Sequence, residues 1–388
     1  MRITQLELMN VRSYCRQTVD FPAGVTVIVG RNAQGKTNLL EAIYRLAVGS
    51  SHRVTSDLPL VRKGSELAVL RAVVVTDEGR RRSIELELRP GRGNRAQVDG
   101  HRVRRSSEAI GVLRVVLFSP EDVALVRGDP AERRRFLDQL LAQRRPAYAS
   151  ARAEFERILR QRNHVLRRAR AHEGASEGSR EALSLWTEQF VQHGAVITAA
   201  RLAAVHALAG PSEEFHRSLA EDAEPIRLIY RSSAGFEVAG SSDGSTPDRR
   251  ELSERFRAAI SLVDDEERRR GVSLVGPQRD DLDLRVRDLP ARDYASHGQV
   301  RTLALSLRLA TYQVLVDVGD RPVVLLDDVF QELDETRRRR LSAACAQWEQ
   351  TIVTTAVEHD VPLEGPKIDV WLDDEGSHAT PRDRSNVA

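Results

Sequence analysis

Lysine is nearly missing from this 388-residue chain: Lys36, Lys63 and Lys367 are three of 59 basic residues, and the rest are arginine. Cysteine is as scarce. Cys15 and Cys345 form neither a metal-binding spacing nor a disulfide framework, which suits a reducing, cytoplasmic compartment. Excess charge is also lacking. The formal net charge is +2, so nucleic-acid binding cannot be argued from it and must rest on local arginine clusters. Arg133 to Arg135, Arg167-Arg168, Arg268 to Arg270 and Arg337 to Arg340 are such clusters, although runs of this kind are most often solvated helix faces. No apolar stretch approaches membrane-spanning length, and "MRITQLELMN" alternates like a strand, without the apolar centre of a signal peptide. These absences predict a soluble intracellular protein with no membrane contact, long enough for one large domain or two lobes.

The lysine at position 36 stands in "GRNAQGKTNLLEAI", which follows the apolar run "VTVIV". Gly30, Gly35, Lys36 and Thr37 fit the phosphate-binding loop G-x-x-x-x-G-K-[ST], with Arg31, Asn32, Ala33 and Gln34 between the glycines. Val25 to Val29 read as a buried strand. Leu39, Leu40, Ile43, Tyr44 and Leu46 have helical spacing, so strand, loop and helix come in the order the motif needs. The glycines let backbone N–H groups turn inward around phosphate oxygens, and the helix N-terminus adds its positive end. Lys36 is then expected on the β- and γ-phosphates of ATP, and the Thr37 hydroxyl on Mg²⁺. An ordinary glycine turn before a helix is the alternative.

Short β-rich runs fill the rest of the first hundred residues, in "ELAVLRAVVV", "SIELELR" and "AQVDGHRV", and a buried strand is expected at Val112 to Phe118. From Pro130 to about Leu208 the pattern is helical, with two apolar stripes that predict a packed lobe. "AHEGASEGSRE" reads as a hairpin tip, and the stretch from Ser232, "SSAGFEVAGSSDGSTPDRR", as a flexible loop. One further helix (251–270) precedes strands at "GVSLVG" and "DLDLRV". Far downstream, Val323 to Leu326 suit a buried parallel strand ending in Asp327-Asp328. Carboxylates there can sit beside a phosphate loop. Asp327 is the candidate Mg²⁺ ligand of a Walker B element, and Asp328 the group that orients or deprotonates the attacking water. Alone the pattern is also that of a helix N-terminus. No other acidic cluster suggests a nuclease.

"ASHGQVRTLALSLRLA" places Ser296, Gly298 and Gln299 at the start of an amphipathic helix, shortly before that strand. This resembles the signature motif of ABC-type ATPases in the variant form of the RecF family. The likeness extends from "NVRSY" through "SSHRVTSDLPLVRKG", "LFSPEDVALVRGDPAERRRFLD" and "SLVGPQRDDLDL" to "QELDETRRRRL" and "TIVTTA". It implies an α/β fold: an ABC-type head, with a mixed sheet and an antiparallel β-subdomain, plus a helical second lobe. The expected division is 1–118 and 315–375 for the ATPase lobe, 119–314 for the helical lobe carrying the signature, and 376–388 as a disordered tail.

The resemblance also implies roles. Ser296, Gly298 and Gln299 contact the γ-phosphate held by an opposite subunit in an ATP-dependent homodimer. Arg12, beside Ser13 in "NVRSY", approaches the nucleotide, and Asp334 belongs to the D-loop. Implied activities are weak, DNA-stimulated ATP hydrolysis and binding to single-stranded DNA and to single-strand/double-strand junctions. RecO and RecR are the implied partners in loading recombinase during recombinational repair and replication restart, with a link to SOS induction. Three positions depart from the pattern: His297 stands where many transporters have glycine, Gln331 where serine commonly precedes the D-loop, and Thr355 near an absent switch histidine, with His359 nearby but offset. No Q-loop glutamine is assigned. A stand-alone small-molecule kinase would leave Ser296 to Gln299 unused, and the helical insertion is too short for a long coiled-coil tether.

Overall fold

Alternation and turn chemistry build the first part of the chain. The computed structural model describes residues 1–171, 177–220, 223–240 and 247–382. Strands β1 (Arg2–Val11) and β2 (Tyr14–Asp20) form a hairpin whose turn residue Arg12 sits at φ 53. Next come β3 (Gly24–Val29) and helix α1 (Lys36–Val48), which buries Leu39, Leu40 and Ile43. Strands β4 (Ala68–Val75), β5 (Arg81–Leu88), β6 (Arg95–Val98) and β7 (His101–Arg102) complete an antiparallel sheet of order β2-β1-β4-β5-β6-β7. In β5, Ile84, Leu86 and Leu88 face the core while Ser83, Glu85 and Glu87 take the other face, as a period of two requires. Strand β8 (Val115–Phe118) is buried throughout.

A second compact unit, Val123–Leu307, follows. It contains α2 (Val123–Arg127), α3 (Pro130–Arg144), α4 (Pro146–Ala171) and α5 (Glu177–Leu219). Then come β9 (Ile226–Ser232), β10 (Phe236–Ala239), α6 (Arg249–Arg270), β11 (Asp281–Val286), β12 (Leu289–Pro290) and α7 (Ala291–Tyr294). Its sheet runs β10-β9-β11-β12. By length and composition the stretch Arg180–Leu219 could cross a membrane, but half of its apolar window is buried within the protein. The buried Arg162 bonds Glu267, Thr187 and Ser273, so both charges lose water but gain partners. Two expectations fail here. The stretch from Ser232 is partly a strand, because Phe236–Ala239 pairs with β9. "GVSLVG" is no strand: Asn163 and Glu267 side chains take the Ser273 and Leu274 N–H groups that a ladder would use. The expected hairpin tip falls in part on 172–176, outside the described residues, and from Glu177 onward it is the start of α5.

Helix α8 (His297–Val316) carries the chain back into the first unit, which comprises Met1–Asp122 and Arg308–Ala388. The crossings thus fall after Asp122 and before Arg308, and these two residues are ion-paired at 2.6 Å. Strand β13 (Val323–Asp327), α9 (Glu335–Cys345), β14 (Gln350–Thr355), β15 (Lys367–Leu372) and β16 (Ser377–Pro381) follow. They complete a second sheet of order β16-β15-β3-β14-β13-β8, parallel except for β16. The expected tail at 376–388 is corrected in part, since Ser377–Pro381 is held by register with β15; residues 383–388 lie outside the described ones.

Candidate functional site

The sheet order explains the site. Strand β14 lies between β3 and β13, so the loop after β3 and the carboxylates ending β13 open at the same edge. Gly35, at φ 111, caps α1 in a left-handed conformation suited to glycine. A Cβ on Gly30 would meet Val370 O at 2.4 Å, and one on Gly35 would meet Ser377 Oγ at 2.6 Å. The first turn of α1 carries no acidic residue, which leaves its positive end open to an anion. Lys36 is 4% exposed, and its Nζ donates to Arg31 O at 3.2 Å, within the loop itself. Burial pushes its pKa down, while the nearby charges of Asp328 and Asp327 act to raise it.

Thr37 Oγ1 donates to Asp327 Oδ1 at 3.0 Å, and Thr354 Oγ1 donates to the same oxygen at 2.7 Å. Burial raises the Asp327 carboxyl above its usual range; the two threonine bonds oppose this, and the negative charges of Asp328 and Glu121 reinforce it. Asp328 adopts φ 50, rare for a residue other than glycine, and its Oδ1 is buried without a hydrogen-bond partner among the described residues. Such strain joined to an unsatisfied oxygen is what a reactive position looks like.

The loop is clasped from behind. Ser377 Oγ, on β16, contacts Ser13 Oγ at 2.6 Å and Gln34 O at 2.7 Å, and Leu372 N donates to Gln34 Oε1. Tyr14 OH reaches Gly35 O at 3.1 Å. Arg12 makes a bidentate bond at 2.8 Å to Glu41 of α1, which also receives Ser51 Oγ at 2.5 Å. Burial acts to raise the Glu41 pKa, but these bonds and the Arg12 charge hold it below the usual range. Beside Ser13 and Asn38, a cleft of about 650 Å³ lined by Leu58, Val61, Arg62 and Lys63 is large enough for a nucleoside.

Residues 2–364 match the RecF/RecN/SMC N-terminal domain. The chain is 46% identical to the DNA replication and repair protein RecF of Streptomyces avermitilis, covering 93% of this chain and 95% of that protein. It is 46% identical to the same-named protein of Acidothermus cellulolyticus, covering 94% and 96%. The chain belongs to the RecF family. Among solved structures, the recombination mediator protein RecF of the RecFOR pathway, as RecF-ATPrS, superposes with TM-score 0.87 at 27% identity over 98% of each chain. Its RecF-ATP form gives 0.86 at 27% identity, over 98% of this chain and 97% of that one. The Smc head of Pyrococcus furiosus, bound to the C-terminal domain of ScpA, gives 0.53 at 16% identity over 99% and 96%, a likeness of fold alone. The fold is therefore α/β, of the ABC-type ATPase head class.

The site residues expected from the sequence divide between the units. Gly30 to Thr37, Asp327 and Asp328 meet in the first. Ser296, Gly298 and Gln299 lie in the second. There Ser296 and Gln299 form a reciprocal capping box: Gln299 N donates to Ser296 Oγ, and Ser296 N to Gln299 Oε1. Gln299 Nε2 is committed to Glu224 at 3.2 Å, whereas the Ser296 side chain stays exposed. Asp334 caps α9 by accepting from Arg337 N at 2.9 Å, a bond that lowers its pKa. Arg31, Asn32 and Ala33 are exposed at the loop tip. Thr355 bonds Val357 O locally, and His359 is 86% exposed beside Asp360.

Sequence reasoning missed Thr354, Glu121, Glu41 and Ser377. Only Thr354 left a trace, in "TIVTTA" beside the expected switch position. The donor set fits a nucleoside triphosphate with Mg²⁺: a hydroxyl and a carboxylate are hard oxygen ligands, and the first turn of α1 carries no acidic residue to repel phosphate. Among the described residues no cluster of three or more His, Cys, Asp or Glu could hold a metal. Any cation here would therefore share its shell with phosphate and water, as Mg²⁺ does.

Proposed function

We propose that this chain is an ATP-switched, DNA-binding protein of recombinational repair and replication restart, acting in the cytoplasm. The carrying observation is the meeting of Lys36, Thr37, Asp327 and Asp328, whose Oδ1 has no hydrogen-bond partner among the described residues, at one sheet edge in a member of the RecF family. Lys36 exchanges its Arg31 carbonyl for the β- and γ-phosphates of ATP, and the α1 N-terminus receives the same charge. The nucleoside takes the cleft beside Asn38. Thr37 and Asp327 hold Mg²⁺, which when bound supplies positive charge against the phosphates. Asp328 Oδ1 orients a water, accepts its proton and so sets the slow turnover.

Ser296 completes the site of a second copy. Its exposed hydroxyl oxygen already accepts from Gln299 N, which leaves its proton free for a γ-phosphate oxygen. Binding energy of ATP thus closes a homodimer, and loss of the γ-phosphate opens it. The names of a relative, a DNA replication and repair protein, and of a solved structure, a recombination mediator of the RecFOR pathway, support placing the switch in DNA repair. On this reading its partners are RecO and RecR, its task is loading recombinase onto single-stranded DNA and junctions, and it affects SOS induction. Light scattering with ATP and with ADP, each with and without DNA, tests this reading. A dimer mass with ATP, strengthened by DNA and absent with ADP, is expected. A monomer under all four conditions would refute it.

A further inference from the structure

Half of the arginines in the runs that stand out in the sequence are ion-paired in the fold. Arg133 pairs with Asp281, Arg135 with Glu132, Arg268 with Asp264, Arg269 and Arg270 with Glu266, and Arg337 with Asp334. A different basic surface arises where the topology gathers scattered residues. At one end of β5 stand Arg80 and Arg81. At its other end Arg92 occupies the turn into β6, which begins with Arg95. Arg102 lies on edge strand β7, opposite Gln97. Val103 N donates to Ala96 O, so the chain continues beside β6 and brings Arg104 and Arg105 toward Arg95.

These seven arginines are exposed and, among the described residues, make no ion pair or side-chain hydrogen bond. The acids around them are spent elsewhere: Glu85 on Arg71, Glu87 on Arg89 and Asp99 on Arg82. Asp77 is taken by the N-terminal ammonium and Arg321, and Glu78 and Glu108 are the remaining acids of the stretch. Charge on a short edge strand also discourages pairing with another sheet, but one or two residues on β7 suffice for that. That need does not account for the arginines at both ends of β5.

We infer that this edge of the antiparallel sheet is a docking strip for the phosphodiester backbone of DNA, complete within one subunit. The inference rests on the DNA-binding reading above and adds the surface to it. Eight residues of β5 span about 25 Å, and a duplex presents one phosphate charge per roughly 1.7 Å of axis. Guanidinium groups along such a line meet phosphates at successive positions without reading sequence. DNA contact through this strip needs neither nucleotide nor dimer.

The test is fluorescence anisotropy of a labelled 30-base-pair duplex with the full chain, without nucleotide, between about 50 and 200 mM salt. The triple variant Arg95→Ala/Arg102→Ala/Arg104→Ala is expected to bind at least about tenfold more weakly. It should also reduce the slope of log affinity against log salt by about 2.7, or 0.9 per lost contact. The corresponding triple lysine variant keeps the charge and should keep most of the affinity, and basal ATP turnover should be unchanged in both. Equal affinity and slope in wild type and the alanine triple would overturn the strip while leaving the DNA reading intact. So would equal impairment of binding and basal turnover in both triples, which marks a structural role. A wild-type protein that ignores the duplex without nucleotide would overturn the strip alone, and one that ignores it with ATP present as well would overturn the DNA reading too.

Discussion

Asp328 is held at φ 50 with a carboxylate oxygen that no donor reaches, one position beyond the bonded and buried Asp327. Asn at 328 keeps the shape and loses the basicity. ATP hydrolysis, followed by phosphate release, should fall by about 10² or more while the affinity for a fluorescent ATP analogue stays near wild type. Unchanged turnover would reassign the water-positioning role. Lys36→Ala should instead lose ATP binding itself, because the loop keeps its amides but not its ammonium, and equal affinity would refute the phosphate role. A third residue gives a pH signature. Both ring nitrogens of His52 are buried without a hydrogen-bond partner among the described residues, and burial pushes its pKa down to about 4, against the opposing charges of Glu41 and Glu121. Because the folded value lies below the unfolded one, this stabilisation is complete above about pH 6.5 and is lost as pH falls toward 4, on the order of 3 kcal/mol in all. Calorimetry should therefore show His52→Asn losing less Tm between pH 7 and pH 5 than wild type does.

At the scale of elements, the strand–loop–helix of β3 and α1 was legible because three independent signals coincided: an apolar run, two glycines at fixed spacing and helical periodicity. The opening of α8 and the β13 carboxylates were legible for similar reasons. The β15–β16 hairpin was not. Its "DDEGSHAT" segment carries polar and turn residues, and nothing local announces that Ser377 reaches Ser13 and Gln34, far away in sequence. Likewise Glu41 reads as an ordinary helix acid until the β1–β2 turn places Arg12 against it. "GVSLVG" misled in the opposite sense, since side chains satisfy its backbone where a strand was expected. The clasp has a consequence for binding. Ser377→Ala removes both contacts behind the phosphate loop, at roughly 0.5–1.5 kcal/mol each. ATP affinity in a titration should fall several-fold with little change in the turnover of bound ATP. Unchanged affinity would mean that the loop holds its shape without β16.

At the scale of the whole molecule, the phosphate loop belongs to one compact unit and the exposed Ser296 to the other, and the account assigns Ser296 to the nucleotide of a second copy. A bulky cation at 296 should fill the narrow space between signature helix and phosphate while leaving the subunit's own Lys36 site whole. The molar mass of Ser296→Arg with saturating ATP, measured by light scattering beside wild type, tests this most directly. Wild type should be a dimer and Ser296→Arg a monomer, with ATP affinity preserved and hydrolysis lost. Mixing in Lys36→Ala should restore weak dimerisation, because each mixed pair contains one complete site. A Ser296→Arg protein that dimerises and hydrolyses ATP like wild type would remove Ser296 from the nucleotide site of a second copy.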